Sequence, residues 1–138
     1  APPRRACPVK AVQGVLVDTS VWVDHFRHHN SALVVLLGLD MAMTHPMVVA
    51  ELACGTPPAP RVQTLADIGR LQQTQLATLP EVMALIERET LYGLGCGLVD
   101  LLLLASALIT PGVALWTLDK RLAGLAARFG VQYQAVSH

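Results

Sequence analysis

The ten residues VLVDTSVWVD, at positions 15–24, decide the fold. Residues 15–17 form a short, uniformly apolar run of the kind found in parallel strands that are buried on both faces. Asp18 ends this run, and the apolar residues within 19–27 then follow at helical spacing. The stretch therefore predicts a buried strand that leads directly into a helix, with an acidic residue at the junction.

The remaining chain continues this alternation of strand and helix patterns. Further strands are predicted at 41–44, 75–79, 113–116 and 131–133. Further helices are predicted at 31–39 with Ser31 as N-cap, 46–54, 61–71, 80–92, 98–109 and 119–129. Alternating strands and helices indicate an α/β fold. We expect a single domain with a mostly parallel central sheet of four to five strands and helices on both faces.

The amino-acid composition and the net charge exclude some classes of protein. The chain has 138 residues, of which 53% are hydrophobic and 14% are charged, and its formal net charge is zero. Charged residues make up about 25% of an ordinary soluble domain. Intrinsic disorder is excluded because the chain carries too much apolar surface. Nucleic-acid binding by bulk positive charge is disfavoured, and a partner that covers apolar surface is expected.

The domain is expected to span 14–138, with residues 1–13 as a disordered tail or processing remnant, because this segment has no apolar core expected of a signal peptide. The uncharged run 101–118 reaches membrane-spanning length, but Thr110-Pro111-Gly112 interrupts it. Three widely spaced cysteines give neither a disulfide framework nor a zinc motif. We therefore expect a cytoplasmic protein with no membrane span and with reduced thiols.

Two carboxylates follow predicted strands at their carboxyl ends, which is where ligands bind to open parallel sheets. Asp18 comes directly after residues 15–17, and Asp119 comes shortly after 113–116. Each is also well placed to act as the N-cap of the following helix. Both interpretations remain open on the sequence alone.

Two other carboxylates lie among apolar neighbours. Glu51 shares a predicted helix face with Met47 and Val48, and Asp100 is the only residue charged at neutral pH between Glu89 and Asp119. A buried carboxylate is costly unless it is paired or bound to a metal. For Glu51 the alternative is a salt bridge to an arginine such as 27 or 121. The simplest common partner for four such acids is a divalent cation, and oxygen ligands favour Mg²⁺ or Mn²⁺.

With these four acids in this order, the sequence resembles the PIN domain family, and specifically the VapC-type toxins. The resemblance covers about residues 15–134, and each fragment alone is weakly specific. The order of the four acids carries it. The matching fragments are residues 15–24, Pro46-x-x-x-Ala50-Glu51-Leu52, Gly97-x-x-Asp100-x-x-x-x-Ala105 and Leu115-x-Thr117-x-Asp119-x-x-Leu122. Leu122 replaces the family's usual phenylalanine, and residues 1–13 have no counterpart.

The resemblance implies an Mg²⁺- or Mn²⁺-dependent endoribonuclease toxin that is neutralised by a VapB-like antitoxin and forms a homodimer. It places the metal and catalytic residues at Asp18, Glu51, Asp100 and Asp119, with Ser20 and Thr117 as possible polar helpers. Carboxylate-held metal suits hydrolysis of RNA, because it acidifies a water and orients the phosphate. One ion or two could share the four acids. Arg27, Lys120 and Arg121 are either local contacts for RNA or solvated surface charges.

Two other classes of protein would need sequence features that differ from those of this chain. A receiver-type signalling domain would have paired acids after its first strand and an aspartate after a middle strand, and this chain has neither. A catalytically inactive PIN-like interaction module would have lost acidic positions, whereas all four are present. A nuclease assay with and without Mg²⁺ separates this last alternative from the enzyme.

Overall fold

The computed structural model of the chain describes residues 11–135. Within that range the elements are β1 (Gly14–Val17), α1 (Thr19–His28), α2 (Ser31–Gly38), β2 (Ala42–Thr44), α3 (Pro46–Ala53), α4 (Arg61–Gly69), β3 (Gln72–Gln73), α5 (Leu79–Glu89), α6 (Leu98–Ile109), β4 (Val113–Trp116) and α7 (Lys120–Arg128). Most of the predicted tail, Cys7 and the last three residues lie outside the described residues. The domain limits of 14–138 therefore stay a prediction.

The four strands form one sheet in the order β3-β2-β1-β4, and every pair is parallel. β1 is central, since Val15 pairs with Ala42 of β2 on one side and with Ala114 of β4 on the other. The carboxyl ends of β1, β2 and β4 therefore share one edge of the sheet. α1 and α7 begin within a few residues of that edge, which places Asp18 and Asp119 in one region. The predicted α/β fold with a parallel four- to five-stranded sheet is confirmed.

Both faces of the sheet are covered. All residues of β1 and β4 are buried, although successive side chains of a strand point to opposite faces. Leu16 and Leu115, which pair across the two strands, are 0% exposed. This burial explains why both strands are uniformly apolar instead of alternating.

Two predicted strands are wrong in part. Residues 75–79 are not a strand, because the third strand lies earlier, at Gln72–Gln73, and α5 already begins at Leu79. Both glutamines are exposed at the sheet edge, so no apolar pattern marks them. The predicted strand 131–133 is reduced to a single parallel bridge between Leu115 and Gln132.

The N-cap of α2 is Asn30 and not Ser31 as predicted. The Asn30 side chain accepts a hydrogen bond from the backbone N–H of Leu33 at 3.0 Å. In addition, its Nδ2 donates to Asp24 at 3.1 Å, which ties the start of α2 to α1. An amide can do both because it carries a donor and an acceptor, whereas the Ser31 side chain is already inside the helix.

Across residues 11–135, every helix is too short or too polar to cross a lipid bilayer. The apolar run 101–118 is divided as predicted, since α6 ends at Ile109 and β4 begins at Val113. Cys54 and Cys96 are both free thiols.

Candidate active site

Asp18 occupies the carboxyl end of β1 and is 5% exposed. Its Oδ2 accepts two hydrogen bonds of 2.7 Å, from the hydroxyls of Ser20 and Thr117. The chain takes the geometry of an N-cap at Asp18, but the side chain caps no backbone N–H. The cap interpretation is therefore wrong for Asp18, and its carboxylate is held by side chains.

The two hydroxyls connect Asp18 to the segment that follows β4. Ser20 Oγ accepts a hydrogen bond from the backbone N–H of Leu118 at 3.0 Å. Thr117 Oγ1 accepts one from the backbone N–H of Asp119, also at 3.0 Å. Because each hydroxyl oxygen already accepts a hydrogen bond from a backbone N–H, each hydroxyl donates its own proton to Asp18. The geometry supports Ser20 and Thr117 as positioning residues for Asp18 and Asp119.

Asp119 caps α7. Its Oδ1 accepts hydrogen bonds from the backbone N–H groups of Arg121 and Leu122, at 2.9 and 3.0 Å. Here the structure agrees with the cap interpretation. Both bonds use the same oxygen, however, so Asp119 is held in place while Oδ2 has no hydrogen-bond partner among residues 11–135. A capping role and a role in ligand binding are therefore compatible.

Glu51 is exposed, which corrects the prediction that it faces the core. The buried side chains of α3 are Val48 and Leu52, four residues apart, and Glu51 lies at the edge of that stripe. Its Oε1 accepts a hydrogen bond of 2.7 Å from the hydroxyl of Thr19 at the start of α1. Sequence reasoning missed Thr19, although its position directly after Asp18 was a usable signal.

Asp100 is half-buried at the start of α6, and it accepts a long hydrogen bond of 3.3 Å from the backbone N–H of Gly97. Burial raises the pKa of its carboxyl above the ordinary value of 3.8. The Gly97 N–H opposes that rise, whereas the negative charges of Asp18, Asp119 and Glu51 add to it. Asp100 is thus close enough to the other three predicted acids to be affected by their charges.

None of these four acids forms an ion pair within 4.0 Å in the described part of the chain. The ion pairs there join other residues, at Arg70–Asp67, Arg88–Glu89 and Arg128–Glu89. The salt bridge considered for Glu51, to Arg27 or Arg121, does not form within that range. A cluster of carboxylates that are not ion-paired has the donor chemistry that suits a hard divalent cation.

The acids are nevertheless not gathered into a ready coordination shell. Within residues 11–135, no three His, Cys, Asp or Glu side chains are placed so that they could hold one metal ion. An ion shared by three of the acids would therefore require side chains to rotate from the arrangement seen here. The exposed Glu51 has the space to do so, whereas Asp18 is fixed by its two hydroxyl donors and Asp119 by its two backbone donors.

A thiol and an arginine complete the surroundings. Burial raises the pKa of the Cys96 thiol, the charges of Asp100 and Asp119 add to the rise, and the charge of Arg121 opposes it. The guanidinium of Arg121 donates a hydrogen bond to the carbonyl of Gly95 at 3.4 Å. Sequence reasoning placed Arg121 near an acid, but nothing in the sequence links it to residue 95.

Comparison with known proteins agrees with this geometry. The PIN domain family matches residues 15–128. Two similar proteins are both named Ribonuclease VapC32 and come from the CDC 1551 / Oshkosh and ATCC 25618 / H37Rv strains of Mycobacterium tuberculosis. Each is 44% identical over 117 residues, which cover 85% of this chain and 94% of the relative. The matched range holds all four acids and almost the whole sheet, and the chain belongs to the PIN domain family.

Proposed function

We propose that this protein is an RNA-cleaving hydrolase, an endoribonuclease toxin that requires Mg²⁺ or Mn²⁺. The observation that carries the proposal is the set of three carboxylates near Asp100, at Asp18, Glu51 and Asp119, whose charges add to the rise that burial causes in its pKa. Among the described residues, none of the four acids forms an ion pair within 4.0 Å. Membership of the PIN domain family and the 44% identity to proteins named as ribonucleases support it.

The proposed metal ligands are Asp18, Glu51, Asp100 and Asp119. A bound divalent cation would supply Lewis-acid chemistry, lowering the pKa of a water and neutralising charge on the phosphate. The chain's own contribution is positional. Ser20 and Thr117 saturate Oδ2 of Asp18, which leaves Oδ1 without a hydrogen bond in the described range. The backbone bonds to Asp119 fix one of its oxygens and leave the other available.

A VapB-like antitoxin is the proposed protein partner. The expected docking surface includes α2 and α4, where apolar side chains are exposed, among them Val35 at 58% and Val62 at 80%. An open cavity of about 470 Å³ lies beside it, lined by Trp22 and Phe26 of α1, Leu37 of α2 and Ile68 of α4. An amphipathic segment could bury its apolar face there. A homodimer and a cytoplasmic location complete the proposal.

Cleavage of RNA by the purified chain tests this function. We expect fragments in Mg²⁺ or Mn²⁺ and none in EDTA. Asp119→Asn, purified in the same way, is the matched control, because asparagine caps a helix as well as aspartate but lacks the charge. Mapping the cut sites on total RNA would then define the target. Equal cleavage by the variant would point to a contaminant, and no cleavage in either metal would favour the inactive interaction module.

A further inference from the structure

The Arg121 side chain lies against Gly95, in the loop that leads to Asp100. Gly95 has φ +86°, a conformation that residues with a Cβ rarely adopt. A Cβ built at Gly95 would lie 2.6 Å from Nη1 and 2.9 Å from Cζ of Arg121, closer than real Cβ contacts. The guanidinium therefore packs directly on the backbone, where it donates to the Gly95 carbonyl.

Both ends of Arg121 are fixed relative to the carboxylates. Its backbone N–H donates to Asp119 at 2.9 Å, and its guanidinium is held at the loop that precedes α6. Asp100, Asp119 and Arg121 are all close enough to the Cys96 thiol to affect its pKa, which burial raises most. Among residues 11–135, Arg121 nonetheless forms no ion pair within 4.0 Å of any of the four acids.

Most of the donor capacity of this guanidinium is unused within the described residues. A guanidinium has five N–H donors in a planar fork that matches a phosphate, and only the bond to Gly95 occupies it here. The four neighbouring carboxylates repel a polyanion, so an RNA strand that reaches them needs a fixed positive charge close by. A guanidinium that is positioned without being neutralised meets this requirement.

We propose that Arg121, held on the Gly95 backbone, binds a backbone phosphate of the RNA strand next to the carboxylate cluster. This rests on the proposed function, whose substrate contact it specifies. Arg121 is a substrate-binding residue in this scheme, and Gly95 is a positioning residue that acts through it. The neighbouring Lys120 is exposed and forms no side-chain hydrogen bond or ion pair among the described residues, so it provides a control of equal charge.

Binding of a fluorescent single-stranded RNA in EDTA, measured by anisotropy over a series of salt concentrations, tests the proposal independently of cleavage. We expect Arg121→Ala to weaken binding about tenfold at low salt, the effect of one lost charge-assisted contact. We also expect the slope of log K against log salt to fall by about 0.7, the value for one phosphate contact on a single strand. Lys120→Ala should change both quantities much less.

The two loop glycines provide a second, matched comparison. Gly93 and Gly95 both have positive φ, but a Cβ at Gly93 would meet nothing within 4 Å. Gly95→Ala should therefore weaken RNA binding and Gly93→Ala should not, although both strain the loop. Adding Gly95→Ala to Arg121→Ala should cost little more, because the two changes disrupt one contact. Melting curves identify a variant that fails to fold.

The proposal is overturned if Arg121→Ala and Lys120→Ala have the same affinity and salt slope. It is also overturned if Arg121→Ala weakens only the binding of a protein partner, which would make the guanidinium a protein contact. Cleavage by the unmodified chain is scored separately. RNA binding that depends on Arg121 without any cleavage would contradict the proposed function alone, and cleavage that is indifferent to Arg121 would contradict this inference alone.

Discussion

The hydroxyl of Thr117 lies 2.7 Å from Oδ2 of Asp18, so two buried residues 99 positions apart are joined at the ends of neighbouring strands. Thr117→Val keeps the shape and removes this bond. We expect a loss of stability of about 1.5–3 kcal/mol, the usual contribution of a hydrogen bond to a charged group. RNA cleavage should fall as well, because the Asp119 N–H also loses its acceptor.

Urea unfolding and RNA cleavage measure the two effects of Thr117→Val. Thr117→Ser is the matched control, since it keeps the hydroxyl and should recover most of both properties. If valine matches the unmodified protein and serine does not, the threonine methyl matters and the hydroxyl network does not.

Asp100→Asn should separate folding from catalysis. A carboxyl whose pKa is raised by folding contributes stability below its unfolded pKa, and that contribution is lost as pH rises through the folded pKa. At neutral pH the ionised Asp100 therefore opposes folding of the metal-free protein. The neutral amide should leave the melting temperature in EDTA equal or higher, while cleavage in Mg²⁺ falls about a hundredfold or more.

Asp40→Asn is the control for Asp100→Asn. Asp40 is exposed with φ 55°, a conformation that asparagine tolerates, so both stability and activity should be preserved. A clear destabilisation by Asp100→Asn with full activity would remove Asp100 from the site.

Metal binding should strengthen as pH rises from about 5 to 8, because a ligand with a raised pKa must release its proton before it binds a cation. The same shift in Asp100 that lowers stability at neutral pH sets this dependence. Calorimetric titration with Mg²⁺ and Mn²⁺ across that range measures it. In Asp100→Asn we expect weaker binding and a flatter pH profile, and an unchanged profile would show that another group controls the affinity.

The role of Asn30 as the N-cap of α2 can be tested with substitutions at Asn30 and at the adjacent Ser31. Asn30→Ala removes the cap and should cost about 1 kcal/mol of stability. Ser31→Ala should be close to neutral, because Ser31 is exposed and inside the helix. Thermal unfolding of the two variants measures the difference, and neither change should alter RNA cleavage. A larger effect at Ser31 than at Asn30 would contradict the observed cap.

Co-expression with the cognate antitoxin should raise the yield of soluble protein and suppress RNA cleavage. Val35→Glu should weaken this complex, because Val35 is 58% exposed on the expected docking surface. Met83→Glu is the matched control, since Met83 is 51% exposed on α5, outside the apolar surface of α2 and α4. Equal effects of the two variants on complex formation would place the antitoxin elsewhere.

The buried strands were predictable because they consist of apolar residues. The strand at 15–17 and the strand at 113–116 have no polar positions, since both faces of the sheet are covered. The failed strand at 75–79 has a local cause. Thr78 and Glu81 form a capping box that starts α5, and these two residues are a recognisable helix signal. The true third strand, two exposed glutamines, has no apolar signal at all.

The structure places Asp18, Glu51 and Asp119 near enough to Asp100 to affect its pKa, but the environments of these acids were not predictable. Glu51 lies at the edge of its helix's apolar stripe, where a small rotation decides between core and solvent. Its contact with Thr19 joins two helices and depends on their packing. The approach of Arg121 to Gly95 is also a tertiary contact, between residues 26 positions apart. Local spacing in a sequence cannot specify such distances.

The pairing of β1 with β4 also governs when the site can exist during synthesis on the ribosome. A nascent chain that ends before residue 113 already contains Asp18, Glu51 and Asp100, but one side of β1 still lacks its partner strand. The Thr117 hydroxyl, which helps to hold Asp18, and Asp119 itself are translated only with the segment after β4. Contacts of such long sequence separation form late. The cluster can therefore assemble only after Asp119 has been translated, and nascent chains that end before it cannot form the cluster.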